Sequence, residues 1–185
     1  QALRPLTADE QRSCLKLLEL QRHAMLMYTS CGWFFDEISG IETTQVMRYA
    51  ARALHLAEEV LGLHLEQEFA ERLHDAPSNI PQFGNGMNVY NRLVKVSRID
   101  LHRVGAHYAV SSLFRDQEDT PQTIYCYSAE CHSCEKREAG ASKMALGRTR
   151  FISHITRDEE VITFAALHLG GHNVLSGLGS ELNDD

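Results

Sequence analysis

The sequence predicts an α+β protein, in which an N-terminal helical bundle is followed by a C-terminal antiparallel β-sheet. Two observations lead to this class. Apolar residues recur at helical spacing up to about residue 120, and apolar and polar residues alternate beyond that point. We therefore expect a helical bundle over residues 1–118 and an antiparallel β region over 119–185 that packs on it, either as two domains or as one combined domain.

The helix predictions rest on capping residues as well as on periodicity. Thr7 and Glu10 form a T-x-x-E capping box, which predicts a helix from there to about residue 29. A second helix is predicted after Gly40, and Gly62 suits its C-terminal cap. Three more helices are predicted, over residues 64–74, around 87–96 and from Asp100 onwards.

The strand predictions follow from alternation and from turn residues. Strands are expected over 123–127, 143–155 and 160–169, and Gly170 and Gly171 precede a last short strand. Asp158 and Glu159 lie between two alternating runs and predict a hairpin turn. Residues 181–185 predict a frayed acidic tail.

Composition excludes several classes of protein. The chain has 18 basic and 25 acidic residues, a net charge of −7, and neither half is basic, which argues against a nucleic-acid partner. No run approaches the ~18 apolar residues of a membrane span. Five cysteines and no secretion signal predict a cytoplasmic protein with reduced thiols. The missing initial Met predicts a piece of a longer chain or a processed product.

Residues 31–41 (CGWFFDEISGI), here called the aromatic corner, form the most distinctive segment. They combine the only tryptophan, Trp33, with two phenylalanines and the carboxylates Asp36 and Glu37. Aromatic faces and carboxylates are what a sugar site needs, but a helix–helix corner filled by aromatic rings, with a carboxylate capping the next helix, is the alternative. Adjacent carboxylates point in different directions, so Asp36 and Glu37 cannot flank one glycosidic bond as a catalytic pair.

Cys126, Cys131 and Cys134 raise the alternative of a metal site. Structural zinc takes four ligands, usually as two short-spaced pairs, and the second pair is missing here. We therefore expect neither a metal ion nor a cofactor, and we interpret these cysteines as buried or idle thiols.

Four blocks of sequence resemble a known family: residues 31–50 (CGWFFDEISGIETTQVMRYA), 100–114 (DLHRVGAHYAVSSLF), 124–127 (IYCY) and 166–172 (ALHLGGH). Together they resemble the uncharacterised C-terminal domain attached to family-57 glycoside hydrolases, the alpha-amylase/alpha-mannosidase-like proteins. The resemblance covers most of the chain, from about residue 10 to 175.

The resemblance implies a non-catalytic role. In family-57 enzymes a helical bundle follows the catalytic barrel and approaches the sugar site, and Trp33, Gly40 and Arg48 are the positions here that best match that stretch. The family's catalytic carboxylates lie in the upstream barrel, so no residue here inherits a catalytic role. The expected partners are that barrel, in the same polypeptide, and an α-glucan contacted by Trp33, Asp36 or Glu37, and Arg48.

Two alternatives remain open. The chain could be a structural or protein-interaction module whose aromatic corner serves as core or interface without contacting sugar. The weaker alternative is a thiol-ligated metal module. In each case we expect the chain alone to have no hydrolase activity, whereas the resemblance implies a parent protein that is a glycoside hydrolase or a glucanotransferase.

Overall fold

The computed structural model describes residues 4–115 and 121–180, so the predicted acidic tail lies outside the described residues. The chain forms two compact units, residues 1–98 and 99–185. Within the described ranges, every helix is too short or too polar to cross a bilayer.

The first unit consists of helices. They are α1 (Ala8–Leu26), a 3-10 turn (Ser30–Trp33), α2 (Ile41–Leu61), α3 (Glu66–Leu73) and α4 (Gly86–Val89), which continues into a π-helical turn (Tyr90–Val94) and a 3-10 turn (Lys95–Ser97). The capping box predicted at Thr7 and Glu10 is confirmed. Gly62 ends α2 with a left-handed φ of 67°, as predicted for a glycine cap.

The core of this unit lies between α2, α3 and the segment that follows Gly86. Its buried residues are Met47, Ala51, Ala70, Val89, Tyr90 and Val94. Helix α1 packs along α2 but has no fully buried residue.

The second unit is one helix packed on a sheet. Helix α5 (Leu101–Ser112) is followed by β1 (Gln122–Ile124), β2 (Tyr127–Ala139), β3 (Ser142–Ser153), β4 (Glu159–His168) and β5 (Val174–Ser180). The strands are antiparallel neighbours in chain order, so the sheet is a meander. Val104, Tyr108 and Ala109 of α5 share a buried cluster with residues of the sheet, among them Phe151 and Phe164. The predicted α+β class, helices first and sheet second, is confirmed.

Two details of the strand prediction are wrong. The strand predicted over 123–127 is interrupted by a turn at residues 125–126, where Tyr125 has a φ of 53°, and a long strand, β2, begins after it. The sequence pattern missed most of β2 because Ala129 is its only fully buried residue, so its polar and charged side chains do not alternate. The turn predicted at Asp158 and Glu159 lies slightly earlier, because Glu159 already belongs to β4.

The domain boundary predicted between residues 118 and 119 stays a prediction. In the structure, α5 packs against β3, β4 and β5.

Candidate binding surface at the aromatic corner

The backbone of the aromatic corner is held closely against helix α2. A Cβ atom at Gly32 would lie 2.8 Å from Cγ2 of Val46, so only glycine permits this approach. The Thr43 hydroxyl donates a hydrogen bond to the Gly32 carbonyl at 2.7 Å. The path of the chain through the corner is therefore fixed on its α2 side.

Glu37 fixes the other side of the corner. One of its carboxylate oxygens accepts hydrogen bonds from the Ser39 backbone N–H and the Ser78 hydroxyl, both at 2.8 Å. The other accepts from the Asn79 backbone N–H at 2.6 Å, and the Asn79 amide donates to the Asp36 carbonyl at 2.7 Å. Hydrogen bonds from Ser39 first, and then from Ser78 and Asn79, lower the pKa of Glu37 from an ordinary 4.5 to about 2.

The three aromatic rings of the corner project away from this anchored backbone. Trp33 is 64% exposed, Phe34 78% and Phe35 55%. The two phenylalanine rings contact each other edge to face, with their centroids 5.1 Å apart. Within the described residues these rings are not buried in a core. Their exposure argues against the alternative in which the aromatic corner serves as core.

Further exposed apolar side chains lie in the corner or just before it in the chain. Met25 lies near the end of α1 and Tyr28 shortly after that helix, and Ile41 is the last residue of the corner and the first of α2. Contiguous exposed apolar surface on a folded chain marks a site of interaction. The corner and its neighbours are therefore the strongest candidate for a binding surface in the first unit.

Asp36 and Arg48, the other two predicted site residues, have different surroundings. The Asp36 carboxylate is exposed and has no hydrogen bond or ion pair with any described residue. Arg48 is half-buried, and its Nε donates to the Ser97 hydroxyl at 3.2 Å. No hydrogen bond, ion pair or ring contact among the described residues joins Arg48 to Trp33 or Asp36. Trp33, Asp36 and Glu37 are thus neighbours through the chain itself, whereas Arg48 is hydrogen-bonded to Ser97 in the 3-10 turn Lys95–Ser97.

A second polar cluster was missed by the sequence analysis. Glu66 accepts a hydrogen bond from the Tyr90 hydroxyl at 2.8 Å and pairs with Arg98 at 3.1 Å and with Lys95 at 3.7 Å. Burial, followed by the hydrogen bond to Glu66, raises the pKa of Tyr90. Glu66, Tyr90 and Lys95 line a cleft of about 290 Å³. Tyr90 begins the π-helical turn, and a helical pattern in the sequence carries no signal for that irregularity.

Metal-binding geometry is a separate question. Among the described residues, no group of three or more His, Cys, Asp or Glu side chains is arranged to hold a metal ion.

Comparison with known proteins identifies a family. Neither a curated protein nor a solved structure matches the chain significantly. The expected membership in an uncharacterised domain family is confirmed, because residues 1–184 match the family described as "Domain of unknown function (DUF3536)". The chain thus belongs to the DUF3536 family.

Proposed function

We propose that this chain is the non-catalytic C-terminal portion of a family-57-like glycoside hydrolase or transglycosidase. It packs on the catalytic barrel of the same polypeptide and contributes the aromatic corner to an α-glucan-binding cleft. The proposal rests on the resemblance of residues 31–50 to the domain attached to these enzymes, and on the exposure of the corner.

The observation that carries the proposal is an exposed indole on an anchored backbone. Trp33 presents most of its surface to solvent, while the chain on either side of it is fixed by the Gly32–Val46 approach and by Glu37. An exposed aromatic face stacks on the C–H groups of a pyranose ring. Because the backbone is already ordered, little conformational entropy remains to be lost on binding.

The polar residues of the corner have separate roles in this proposal. The Asp36 carboxylate is exposed and accepts hydrogen bonds from sugar hydroxyls. Glu37 already accepts hydrogen bonds from Ser39, Ser78 and Asn79, so it supports the corner, and its direct sugar contact stays a prediction. Arg48 still has donors beyond the one bound to Ser97. The arrangement binds and orients, and the reaction itself belongs to the barrel.

Trp33 fluorescence tests the proposal directly, because Trp33 is the only tryptophan. The chain is titrated with malto-oligosaccharides while emission and acrylamide quenching are followed. We expect a saturable change in emission and protection of Trp33 from the quencher. Calorimetric titration of Trp33→Ala should show no binding, whereas Phe114→Ala, which removes an exposed ring of the second unit, should bind like the wild type.

The parent polypeptide provides the decisive comparison if the corner needs the barrel to complete the cleft. There, Trp33→Ala should weaken α-glucan binding and Phe114→Ala should not. Equal affinity of the two variants for α-glucans would contradict a sugar-binding role of the corner.

The second candidate function is a protein interface without sugar contact. It is favoured by the number of exposed apolar side chains around Trp33, since Tyr28, Phe34 and Ile41 go beyond what one pyranose ring covers. Under this alternative, Phe34→Ser and Ile41→Ser weaken association of the chain with the separately produced barrel, and Trp33→Ala leaves glucan affinity unchanged.

A further inference from the structure

Two cysteines of β2 are separated by two residues, in the sequence Cys131-His132-Ser133-Cys134, and the proposed function uses neither. Side chains in a regular strand alternate between its two faces. Positions 131 and 134, an odd number of residues apart, would therefore face opposite sides of a regular sheet. A C-x-x-C sequence on such a strand would keep its thiols apart.

A β-bulge removes this separation. The pairing of β2 with β3 shifts between Cys131 and Ser133, so His132 is the extra residue. Cys131 consequently pairs with Thr149, and Cys134 pairs with Gly147. Because Thr149 and Gly147 are two residues apart on β3, their partners face the same side of the sheet.

The spacing fits a disulfide. Two residues along a partner strand correspond to about 6.6–6.8 Å, which is at the upper end of the Cα separations found in disulfides, roughly 4.4–6.8 Å. The two side chains already interact: burial, and next the neighbouring Cys131 thiol, raise the pKa of Cys134. Neither cysteine is in a disulfide in the structure.

The strand around the bulge has room to adjust. β1 pairs with β2 only as far as Ala129, and no other described strand pairs with the outer edge of β2 beyond it. On the inner side, a Cβ at Gly147 would lie 2.7 Å from the Ser133 carbonyl oxygen, so glycine is what lets the bulged backbone approach β3. An edge strand with this freedom can shift by the small amount that bond formation requires.

The two thiols differ in access. Cys131 is exposed, whereas Cys134 is half-buried and packs against the core of the second unit. A small disulfide compound in solution therefore reaches the Cys131 thiol before the Cys134 thiol. We propose that Cys131 and Cys134 are a redox-active dithiol that exchanges with low-molecular-weight disulfides such as glutathione disulfide.

The exchange has two steps. The Cys131 thiolate attacks one sulfur of glutathione disulfide, whose S–S bond breaks, and one glutathione leaves with the bonding electron pair. The Cys134 thiolate then attacks Sγ of Cys131, and the second glutathione leaves. The two cysteines are oxidised to a disulfide, glutathione disulfide is reduced to two glutathione molecules, and the two cysteine protons end on the glutathione thiols.

Mass spectrometry of the full chain tests this proposal. The chain is incubated with glutathione disulfide, remaining thiols are alkylated, and the chain is cleaved after glutamate. Glu130 and Glu135 bracket the pair, so cleavage separates it from Cys126. We expect the fragment 131–135 to have lost two hydrogens, which identifies a disulfide within the fragment.

Variants distinguish the two thiols. Cys134→Ser should accumulate glutathione on Cys131, because the resolving thiol is gone, and the adduct should be largely absent from the wild type. Cys14→Ser, which removes an exposed cysteine of α1, should leave the 131–135 disulfide unchanged. Two results for the wild-type fragment 131–135 would overturn the proposal. One is that it retains glutathione as fully as the fragment from Cys134→Ser. The other is that its two thiols remain available for alkylation while Cys14 and Cys31 react with glutathione disulfide. The result for the wild-type chain tests the proposal even if Cys134→Ser does not fold.

Discussion

Two adjacent carboxylates in the aromatic corner have different roles. Glu37 accepts hydrogen bonds from Ser39, Ser78 and Asn79 and so joins the corner to a loop about 40 residues further along the chain. Asp36 has the same charge and no such side-chain partner among the described residues. Hydrogen bonds to an ionised acceptor are among the stronger polar interactions in proteins. Glu37 therefore maintains the exposed presentation of the rings, while Asp36 remains available to a ligand.

Glu37→Gln should destabilise the first unit. Glutamine keeps one acceptor oxygen and places an amide donor against N–H or O–H groups, which leaves at least one of them unpaired. We expect a lower urea midpoint by circular dichroism and faster acrylamide quenching of Trp33. Asp36→Asn is the matched control and should retain the wild-type midpoint. Equal midpoints for the two variants would show that the Glu37 hydrogen bonds do not support the corner.

Stability should also depend on pH through Glu59, which joins α1 to α2. Hydrogen bonds from His55 first, and also from Lys16, lower the pKa of Glu59 from 4.5 to about 2, in competition with burial. A carboxyl group whose pKa is lower in the folded state stabilises the fold above its unfolded pKa, and that stabilisation is lost as pH falls towards the folded pKa.

The free energy of unfolding should therefore fall between about pH 4.5 and about pH 2. Urea titrations followed by circular dichroism at a series of pH values measure this slope. Glu59→Gln should flatten it, because the variant has no carboxyl group to protonate at this position. A slope unchanged by Glu59→Gln would assign the acid sensitivity to other groups, such as Glu37.

Strand β3 passes unusually close to its two neighbours at Gly147. A Cβ there would lie 2.7 Å from Cζ of Phe164 on β4 and 2.7 Å from the Ser133 carbonyl oxygen on β2. Phe164 belongs to the buried cluster between α5 and the sheet. The absence of a side chain at this position therefore accommodates both the packing of the core and the bulge of β2.

Gly147→Ala should destabilise the second unit by about 1–3 kcal/mol, as overpacking of a core does. Gly177→Ala, on β5, is the matched control, because nothing lies within 4 Å of a Cβ at Gly177. Its effect should be neutral or slightly stabilising, since alanine restricts the unfolded chain. Chemical unfolding of both variants, followed by circular dichroism, makes the comparison. Equal free energies of unfolding for the two variants would mean that β3 shifts to accommodate the added methyl group without loss of stability.

The whole chain is organised around two separate cores. The buried cluster of the first unit draws on residues between Ile38 and Val94, and that of the second on residues between Leu101 and Leu178. Helix α5 supplies Val104, Tyr108 and Ala109 to the second cluster. This assigns the helix to the core of the sheet, although its apolar periodicity continues the pattern of the preceding helices.

Two fragments should therefore behave differently. Residues 99–185 contain α5 and the whole sheet, so this fragment should fold and unfold cooperatively. Residues 119–185 lack α5 and would expose Phe151, Ile162 and Phe164, so this fragment should aggregate or stay unfolded. Circular dichroism with urea titration distinguishes the two results. A stable 119–185 fragment would instead favour the boundary predicted from the sequence.

The helices and the class of the fold could be predicted because their signals are local. The capping box at Thr7, the glycine cap at Gly62 and the helix start at Asp100 each depend on residues within one or a few turns of helix, and each is confirmed. Strand β2 could not be predicted in the same way. Its residues beyond Ala129 lie at an edge and are mostly exposed, so burial imposes no alternation on them.

The candidate site could likewise be predicted only in part. Its residue types are visible in the sequence, because the only tryptophan, two phenylalanines and two carboxylates occur within five positions. The exposure of the rings, the hydrogen bonds that Glu37 accepts from Ser78 and Asn79, and the common face of Cys131 and Cys134 are not visible there. Each depends on which distant segment packs beside it, and a local pattern of residues does not specify that contact.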